Sequence, residues 1–466
     1  MVPAQPEGTF EHAFSGTRFS IRDTAAGVWQ TVERPRESQT LPVSYVIGSG
    51  SHAFGYLAQA GDHLFQSPIS YYTNRHAWDV APGYEESKKP DFSRPVTLEC
   101  LACHSDKPLP VAGTLNRYQS PAFAGEAIGC DRCHGLTEAH LKTPVPGTII
   151  NPEKLSGAAR DSVCEQCHLA GEVRIPNPGK SFLGFHAGQR LEDVFTVYVV
   201  AQIPGKTIKV ISQAEQLALS LCARSSEGRL WCGTCHNPHE TPARPAEYFR
   251  QRCLTCHGAT VAAAHGAPSY DCINCHMPKR PAKDGGHTAF TDHRITRRPE
   301  IESAEELTPP AELKAWREPE ESLRQRNLAL ALVTAGTENH NSDQVIRGFR
   351  MLNRLDTVFS NDPAVLTALG TILLRGKEPV EAERRFERVL QQHPDYAPYQ
   401  VNAASALLEE GKIAEATQHL ERAVQLDSLL EQAVELLSYV YRTQGEQSKS
   451  EEIMARYRRA MGITLR

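Results

Sequence analysis

Gly129-Cys130-Asp131-Arg132-Cys133-His134-Gly135 holds one of six copies of Cys-x-x-Cys-His in this 466-residue chain. The others are Cys100, Cys103 and His104; Cys164, Cys167 and His168; Cys232, Cys235 and His236; Cys253, Cys256 and His257; and Cys272, Cys275 and His276. Two thiols three residues apart, with an imidazole directly after the second, form the attachment pattern of c-type haem. Each thiol can make a thioether to one vinyl group, and the histidine then falls beneath the iron as its proximal ligand. Six copies imply six covalently attached haem c groups. Cys-x-x-Cys is also half of a zinc ribbon or finger, but zinc gives no reason for His to follow the second Cys every time. A redox dithiol needs one motif near a βαβ pattern, and the surroundings here are loop-rich.

The motifs recur at intervals of 30, 34, 68, 21 and 19 residues. Intervals this short cannot wrap each haem in a globin-like shell, so the macrocycles are expected to fill much of the interior and lie close together, like a wire. The 68-residue interval between Cys164 and Cys232 holds an insertion. Its residues 194–200 and 207–211 read as strands and 213–221 as a helix.

Outward from this module the chain changes character twice. Residues 1–95 carry no Cys; Phe10, Phe14, Phe19, Ile21, Val28, Trp29 and Val32 recur among Gly and Thr, and residues 67–72 look like a further strand. A β-rich segment packing on the haem array is expected there, followed by the hexahaem domain over 96–298. Residues 299–319, with Pro299, Pro309, Pro310 and Pro319 among many Glu, read as a linker. From 320 to 466, Ala, Leu, Glu and Arg dominate at helical spacing. Leu366, Leu369, Gly370, Leu373, Ala382, Phe386, Val389 and Pro394 follow the 34-residue tetratricopeptide pattern. Ala403, Ala404, Leu407, Ala416, Leu420 and Ala423 repeat it, and so do Val434, Leu437, Tyr441, Ser450, Met454 and Tyr457, with Ser450 where Ala is usual. Three helical hairpins and a degenerate fourth at 321–360 are expected to stack as an all-α solenoid, against the simpler alternative of a plain bundle.

Composition narrows the function classes. A net charge of −5 gives no electrostatic reason for a nucleic-acid partner. No run of 18 apolar residues exists, so no membrane span is expected. Twelve of thirteen cysteines belong to the motifs, which leaves no pair for a disulfide; Cys222 reads as a small apolar packing residue. Met1-Val2-Pro3-Ala4 shows no basic or apolar leader features. Because haem attachment generally takes place outside the bacterial cytoplasmic membrane, a mature form of an exported, periplasmic or extracellular protein is expected.

Six proximal histidines, His104, His134, His168, His236, His257 and His276, leave a surplus in the same region. His52, His140, His239, His265, His287 and His293 are candidate distal ligands, and His12, near the terminus, is an alternate for a haem of another subunit. Bis-histidine irons would be low-spin and closed to small ligands. Met/His ligation would raise the potentials, but of five methionines only Met277 lies in the haem region.

Several stretches give the chain a family likeness: Ile47-Gly48-Ser49-Gly50-Ser51-His52, Trp78-Asp79-Val80-Ala81-Pro82-Gly83-Tyr84, and the second motif followed by His140. To these add Cys232-Gly233-Thr234-Cys235-His236-Asn237-Pro238-His239, Cys272-Ile273-Asn274-Cys275-His276-Met277-Pro278 and His287-Thr288-Ala289-Phe290-Thr291-Asp292-His293-Arg294-Ile295. In these stretches the chain resembles multihaem c-type cytochromes fused to tetratricopeptide repeats, as found in environmental bacteria. The resemblance implies electron transfer, with His140, His239 and His293 as distal ligands. Gly135-Leu136 departs from the commoner Gly-Pro-Gly after the second motif.

The expected function is electron transfer to redox partner proteins or an extracellular acceptor, with self-association into a conductive filament as its sharper form. The alternative is a multihaem oxidoreductase acting on a small nitrogen compound at one open iron. A scaffold in which the haems only hold a small fold together is the third reading.

Overall fold

The computed structural model describes residues 6–125, 127–200, 208–264, 271–297 and 312–466. The chain forms two compact units, one of residues Met1–Ile128 with Ser322–Arg466 and one of Gly129–Glu321. The hexahaem domain expected over 96–298 is therefore divided. Cys100, Cys103 and His104 belong with the sheet and the repeats, and the boundary falls after Ile128 instead of at residue 95.

The first unit begins with strands β1 (Gly8–His12), β2 (Thr17–Thr24), β3 (Gly27–Arg34), β4 (Glu37–Ile47), β5 (Ala53–Ala60), β6 (His63–Gln66), β7 (Ile69–Tyr72) and β8 (Ala77–Val80). They pair antiparallel in the order β1-β2-β3-β4-β5-β7-β8, with β6 also on β5. Strict alternation places Phe19, Ile21, Val28, Val32, Leu41 and Val43 on one buried face, as expected of a sheet with one dry side.

That dry side is covered by the far end of the chain. Leu429, Val434, Tyr457 and Met461 join Phe19, Ile21, Tyr56 and Phe92 in one core. Residues Ile463–Leu465 then add antiparallel to β4, with Ile463 opposite Gln39 and Leu465 opposite Glu37. The sheet's dry side thus packs on helices, because a solenoid end and a one-sided sheet each carry an apolar face that must be covered. Gly462 makes the return: its φ is +61°, and a Cβ there would collide with the Thr40 carbonyl.

The helices form four hairpins: Glu321–Glu338 with Ser342–Leu355, Pro363–Arg375 with Pro379–Gln392, Ala397–Glu409 with Ile413–Leu426, and Glu431–Thr443 with Gln447–Ala460. The starts at Pro363, Ala397 and Glu431 are 34 residues apart, the period read from the sequence. Gly370 lies against the Phe386 ring, where a larger residue would not fit. Ser450, out of pattern, is buried, and its hydroxyl pairs with Ser438 at 2.8 Å. The guanidinium of Arg326, 2% exposed, binds Asp362, which caps the Pro363 helix, so the first hairpin is tied to the second. A second buried tie joins sheet to repeats. His63 lies between Asp62 at 2.9 Å and Asp427 at 2.7 Å, while Arg117 binds Asp62 and the Leu426 carbonyl.

Among the described residues, the second unit has a smaller apolar core than the first. Its main apolar cluster, Leu169, Phe185, Leu191, Val194, Phe195 and Val197, belongs to the insertion between the third and fourth motifs. There the strand Phe195–Val200 lies between Val173–Pro176 and Leu313–Ala315. Residues 313–317, expected in the linker, are therefore an edge strand and its anchor. Of residues 207–211, expected as a strand, Ile208 makes only an isolated bridge to Ala282, and Thr207 lies outside the described residues. The helix at Gln213–Leu219 is present and a second, Leu221–Ser225, follows it.

Two outcomes follow. Gly462→Val should release the C-terminal strand and destabilise the first unit by about 3 kcal/mol, through left-handed strain and the clash with Thr40, read as a lowered denaturant midpoint. Burial alone would raise the Asp62 carboxyl, but the hydrogen bond from Arg117 and the charges of His63 and Arg117 bring it below its ordinary value. Its contribution is therefore complete above the ordinary carboxylate pKa of about 4 and lost as pH falls through the folded value. Asp62→Asn should flatten the acid limb of the melting curve and cost at most about 1 kcal/mol at neutral pH, because the group is partly exposed.

Candidate haem-binding site

The first motif lies in the first unit, on the helix Leu98–His104. Leu101 and Ala102 face inward, and Leu101 packs with Leu57, Leu64 and Tyr118, leaving His104 exposed. Its two thiols differ: Cys100 is exposed, with the Thr97 hydroxyl 3.7 Å from its sulfur, and Cys103 is half-buried. The other five motifs lie in the second unit, on helices Asp131–His134, Gly157–His168, Cys232–Cys235, Pro245–Ala264 and Cys272–His276. The first, third and last of these bury no residue at all. The long helix carrying Cys253 and Cys256 buries none of its described side chains and turns at Gly258, whose φ is +64°.

Consecutive motifs of the second unit sit side by side. The Cys164 and Cys232 thiols share a hydrogen bond that pushes the first up and the second down in pKa, and Cys133 acts on Cys164 as well. Burial pushes the Cys253 thiol up to about 11, with Cys272 and Cys235 adding to it. The Gln166 amide donates to the Arg132 carbonyl at 3.1 Å, and the Arg160 guanidinium lies over Trp231. Motifs two to six thus follow one another in space as in sequence.

Two imidazole pairs stand out. His134 and His239 have ring centroids 5.8 Å apart with planes 20° from parallel; His236 and His293 are 6.2 Å apart at 25°. Both pairs are stacked, so the two rings of each lie near one another with their planes close to parallel. In six of the candidate rings one nitrogen is already committed. Nδ1 of His134 donates to the Ile150 carbonyl at 2.7 Å, His276 to Thr296 at 2.7 Å and His293 to Thr291 at 2.9 Å. Nδ1 of His239 is 3.2 Å from Asn237 Oδ1, that of His168 3.2 Å from Gln213 Oε1, and that of His140 2.6 Å from the Thr148 hydroxyl. A proton held on Nδ1 leaves Nε2 as the ligating nitrogen, which is how metal-binding histidines are oriented. Burial, then the charge of His168, lowers His236; burial also lowers His293. Both therefore favour the neutral form a metal requires.

Other candidates fall differently. His12 has both nitrogens occupied, Nδ1 at 2.9 Å from Ser15 and Nε2 at 3.0 Å from the Glu85 carbonyl, and is 8% exposed. Serving an iron would break one of those bonds, so the structure gives it a packing role. His52 lies in the β4–β5 turn of the unit that holds Cys103 and His104, its carbonyl accepting from Thr73. His287 is exposed in the turn before Ala289–Thr291, and His257 is exposed on the long helix. His265 lies outside the described residues.

The residues fit a macrocycle in two further ways. Free cysteine is among the most buried residue types, yet none of the thirteen is buried and none forms a disulfide. Cys103, Cys133, Cys167, Cys235, Cys253 and Cys272 are half-buried, while Cys100, Cys130, Cys256 and Cys275 are exposed. Large apolar side chains flank the motifs: Leu136 is 89% exposed, Leu141 73% and Leu221 65%. Among the described residues no three His, Cys, Asp or Glu side chains converge as a tetrahedral zinc site would need.

Sequence reasoning missed the Nδ1 acceptors, several of which are backbone carbonyls with no residue signature. It also missed an ion cluster at the third motif. Arg317 binds the buried Glu165, which lies between Cys164 and Cys167, and also binds Glu192 at 2.9 Å.

Comparison with known proteins bears on the helical end. Residues 373–429 match the tetratricopeptide repeat family, and the hairpins of residues 321–460 are a tetratricopeptide-type domain. Among solved structures, MamA 41-end from Desulfovibrio magneticus RS-1 is 16% identical, over 30% of this chain and 78% of that one, at a TM-score of 0.27. A crystal structure of MamA is 19% identical over 27% and 71%, at 0.24. Tetratricopeptide domains typically bind other proteins, and no described helix is long and apolar enough to cross a membrane.

Alkylation after haem maturation and unfolding should label Cys222 alone. Thirteen labels per chain would mean that the motif thiols carry nothing.

Proposed function

We propose that this chain is a hexahaem c-type cytochrome that transfers electrons along closely spaced, mostly bis-histidine haems, with the repeat domain docking a redox partner or another subunit. The observation that carries the reading is the sixfold recurrence of Cys-x-x-Cys-His; the stacked imidazoles of His134 with His239 and of His236 with His293, with centroids 5.8 and 6.2 Å apart, support it. In three of those four rings Nδ1 is held by an oxygen acceptor. In this reading the twelve motif cysteines, from Cys100 and Cys103 to Cys272 and Cys275, anchor the haems. His104, His134, His168, His236, His257 and His276 are proximal ligands, and His239 and His293 are distal ligands to the second and fourth irons. His52, His140, His265 and His287 are the further distal candidates.

When bound, haem supplies a one-electron couple. The chain's part is to fix the imidazoles and shorten the gaps between neighbouring groups. The side-by-side thiols of Cys164 with Cys232 and of Cys253 with Cys272 support an electron path that runs in sequence order from the second motif to the sixth. An exported location and assembly into a conductive filament belong to the same reading.

Low-temperature electron paramagnetic resonance of the oxidised protein tests it. The expected spectrum is low-spin only, and His239→Ala and His293→Ala should each turn about one haem in six high-spin. A wild-type high-spin signal of that size would favour the open-iron oxidoreductase. Variants that leave the spectrum unchanged would refute the pairing.

A further inference from the structure

We infer that Arg317 is a positioning residue for the third motif, holding the Glu165 carboxylate in place and thereby setting the reduction potential of the haem that Cys164, Cys167 and His168 would carry. The inference rests on the cytochrome reading above and goes beyond it, assigning a role to a residue past the last motif.

The geometry is specific. Glu165 occupies the first position between the two motif cysteines, yet it is only 5% exposed and points into the protein. Its carboxylate accepts from both terminal nitrogens of Arg317, from one of them at 3.1 Å, and from Trp316 Nε1 at 3.0 Å. The same guanidinium binds Glu192 Oε2 at 2.9 Å and the Ser162 hydroxyl at 2.9 Å. Arg190 reaches Glu192 at 3.7 Å, and Asp161, paired with Arg160 at 2.8 Å, adds a further negative charge nearby. One guanidinium therefore compensates two buried carboxylates, one of them inside the attachment loop. Its own position is fixed by backbone: Leu313–Ala315 pairs with Phe195–Val200, and the Trp316 amide donates to the Val197 carbonyl at 2.8 Å.

A packing role alone would not require a charge. A carboxylate fixed beside a redox group favours its more positive, oxidised form, and a guanidinium opposes that; in a partly dry interior such terms are far larger than in water. Net charge and hydrogen bonding near the group are the levers by which a protein sets such potentials. With Arg317 in place, part of the negative charge of Glu165 and Glu192 is offset.

Spectroelectrochemical titration of the full chain, with haem counted by intact mass, tests the idea. Arg317→Gln should move one of six midpoints and leave five unchanged, and Arg317→Lys should restore most of the shift. Glu165→Gln, which keeps shape and acceptor, should raise one midpoint, and the double variant should return near wild type. If Arg317→Gln fails to fold, Glu165→Gln decides the matter. Six haems with every midpoint unmoved in Glu165→Gln would overturn this inference alone. A wild-type chain with no haem on the third motif would overturn the cytochrome reading along with it.

Discussion

The helical segment Pro245–Ala264, broken at Gly258, buries none of its described side chains and has little apolar packing to hold its place. Helices in proteins are kept by the packing of an apolar face, since propensity alone is marginal at such lengths. The helices of the second, fourth and sixth motifs share the condition, burying nothing. Whatever fixes these segments must bring its own apolar surface and its own strong directional bonds. A haem tied by two thioethers and two imidazoles meets both needs, and the exposed Leu136, Leu141 and Leu221 are then the surface it would cover.

The two ends of the chain solve a different problem by burial. The last helical hairpin has no further repeat to stack on, and the sheet has one dry side. Leu429, Val434, Tyr457 and Met461 close both at once. Gly462 and the strand after it complete the closure at the backbone level. The His63, Asp62, Asp427 and Arg117 cluster adds polar fixity to the same join. The domain that would meet partners is thus built on the module that carries the first motif, with Cys100 and Cys103.

Local periodicity was legible and long-range closure was not. The alternation of Phe19, Ile21, Val28 and Val32 and the recurrence of Ala382, Ala416 and Ser450 announce strand and repeat directly. The haem proposal rests on the spacing of the six motifs, which is read from the sequence alone. Equal spacing hid a difference of place, since the helix of Cys103 is held by Leu101 in the core of the first unit while the other five motifs lie in the second. Nothing near residue 317 reveals that its guanidinium will meet Glu165, and nothing in residues 1–95 reveals that they will meet residues 429–465. Such contacts depend on which apolar faces remain uncovered once local structure has formed. The reading of 207–211 as a strand failed because apolar alternation there has only an isolated partner at Ala282. The reading of 313–317 as linker failed because proline-rich flanks hid a short strand. His12 drew notice by residue type, while its two hydrogen bonds depend on Ser15 and a carbonyl at Glu85.

The proposed haem assignment would place one iron between His134 and His239 and another between His236 and His293. A density map of the haem-matured protein, by crystallography or electron cryomicroscopy, tests it most directly. The expected map holds six macrocycles, each joined to one motif, with His239 and His293 on the open faces of the second and fourth. Motif cysteines gathered around single ions, or those two histidines bound to other irons, would contradict it.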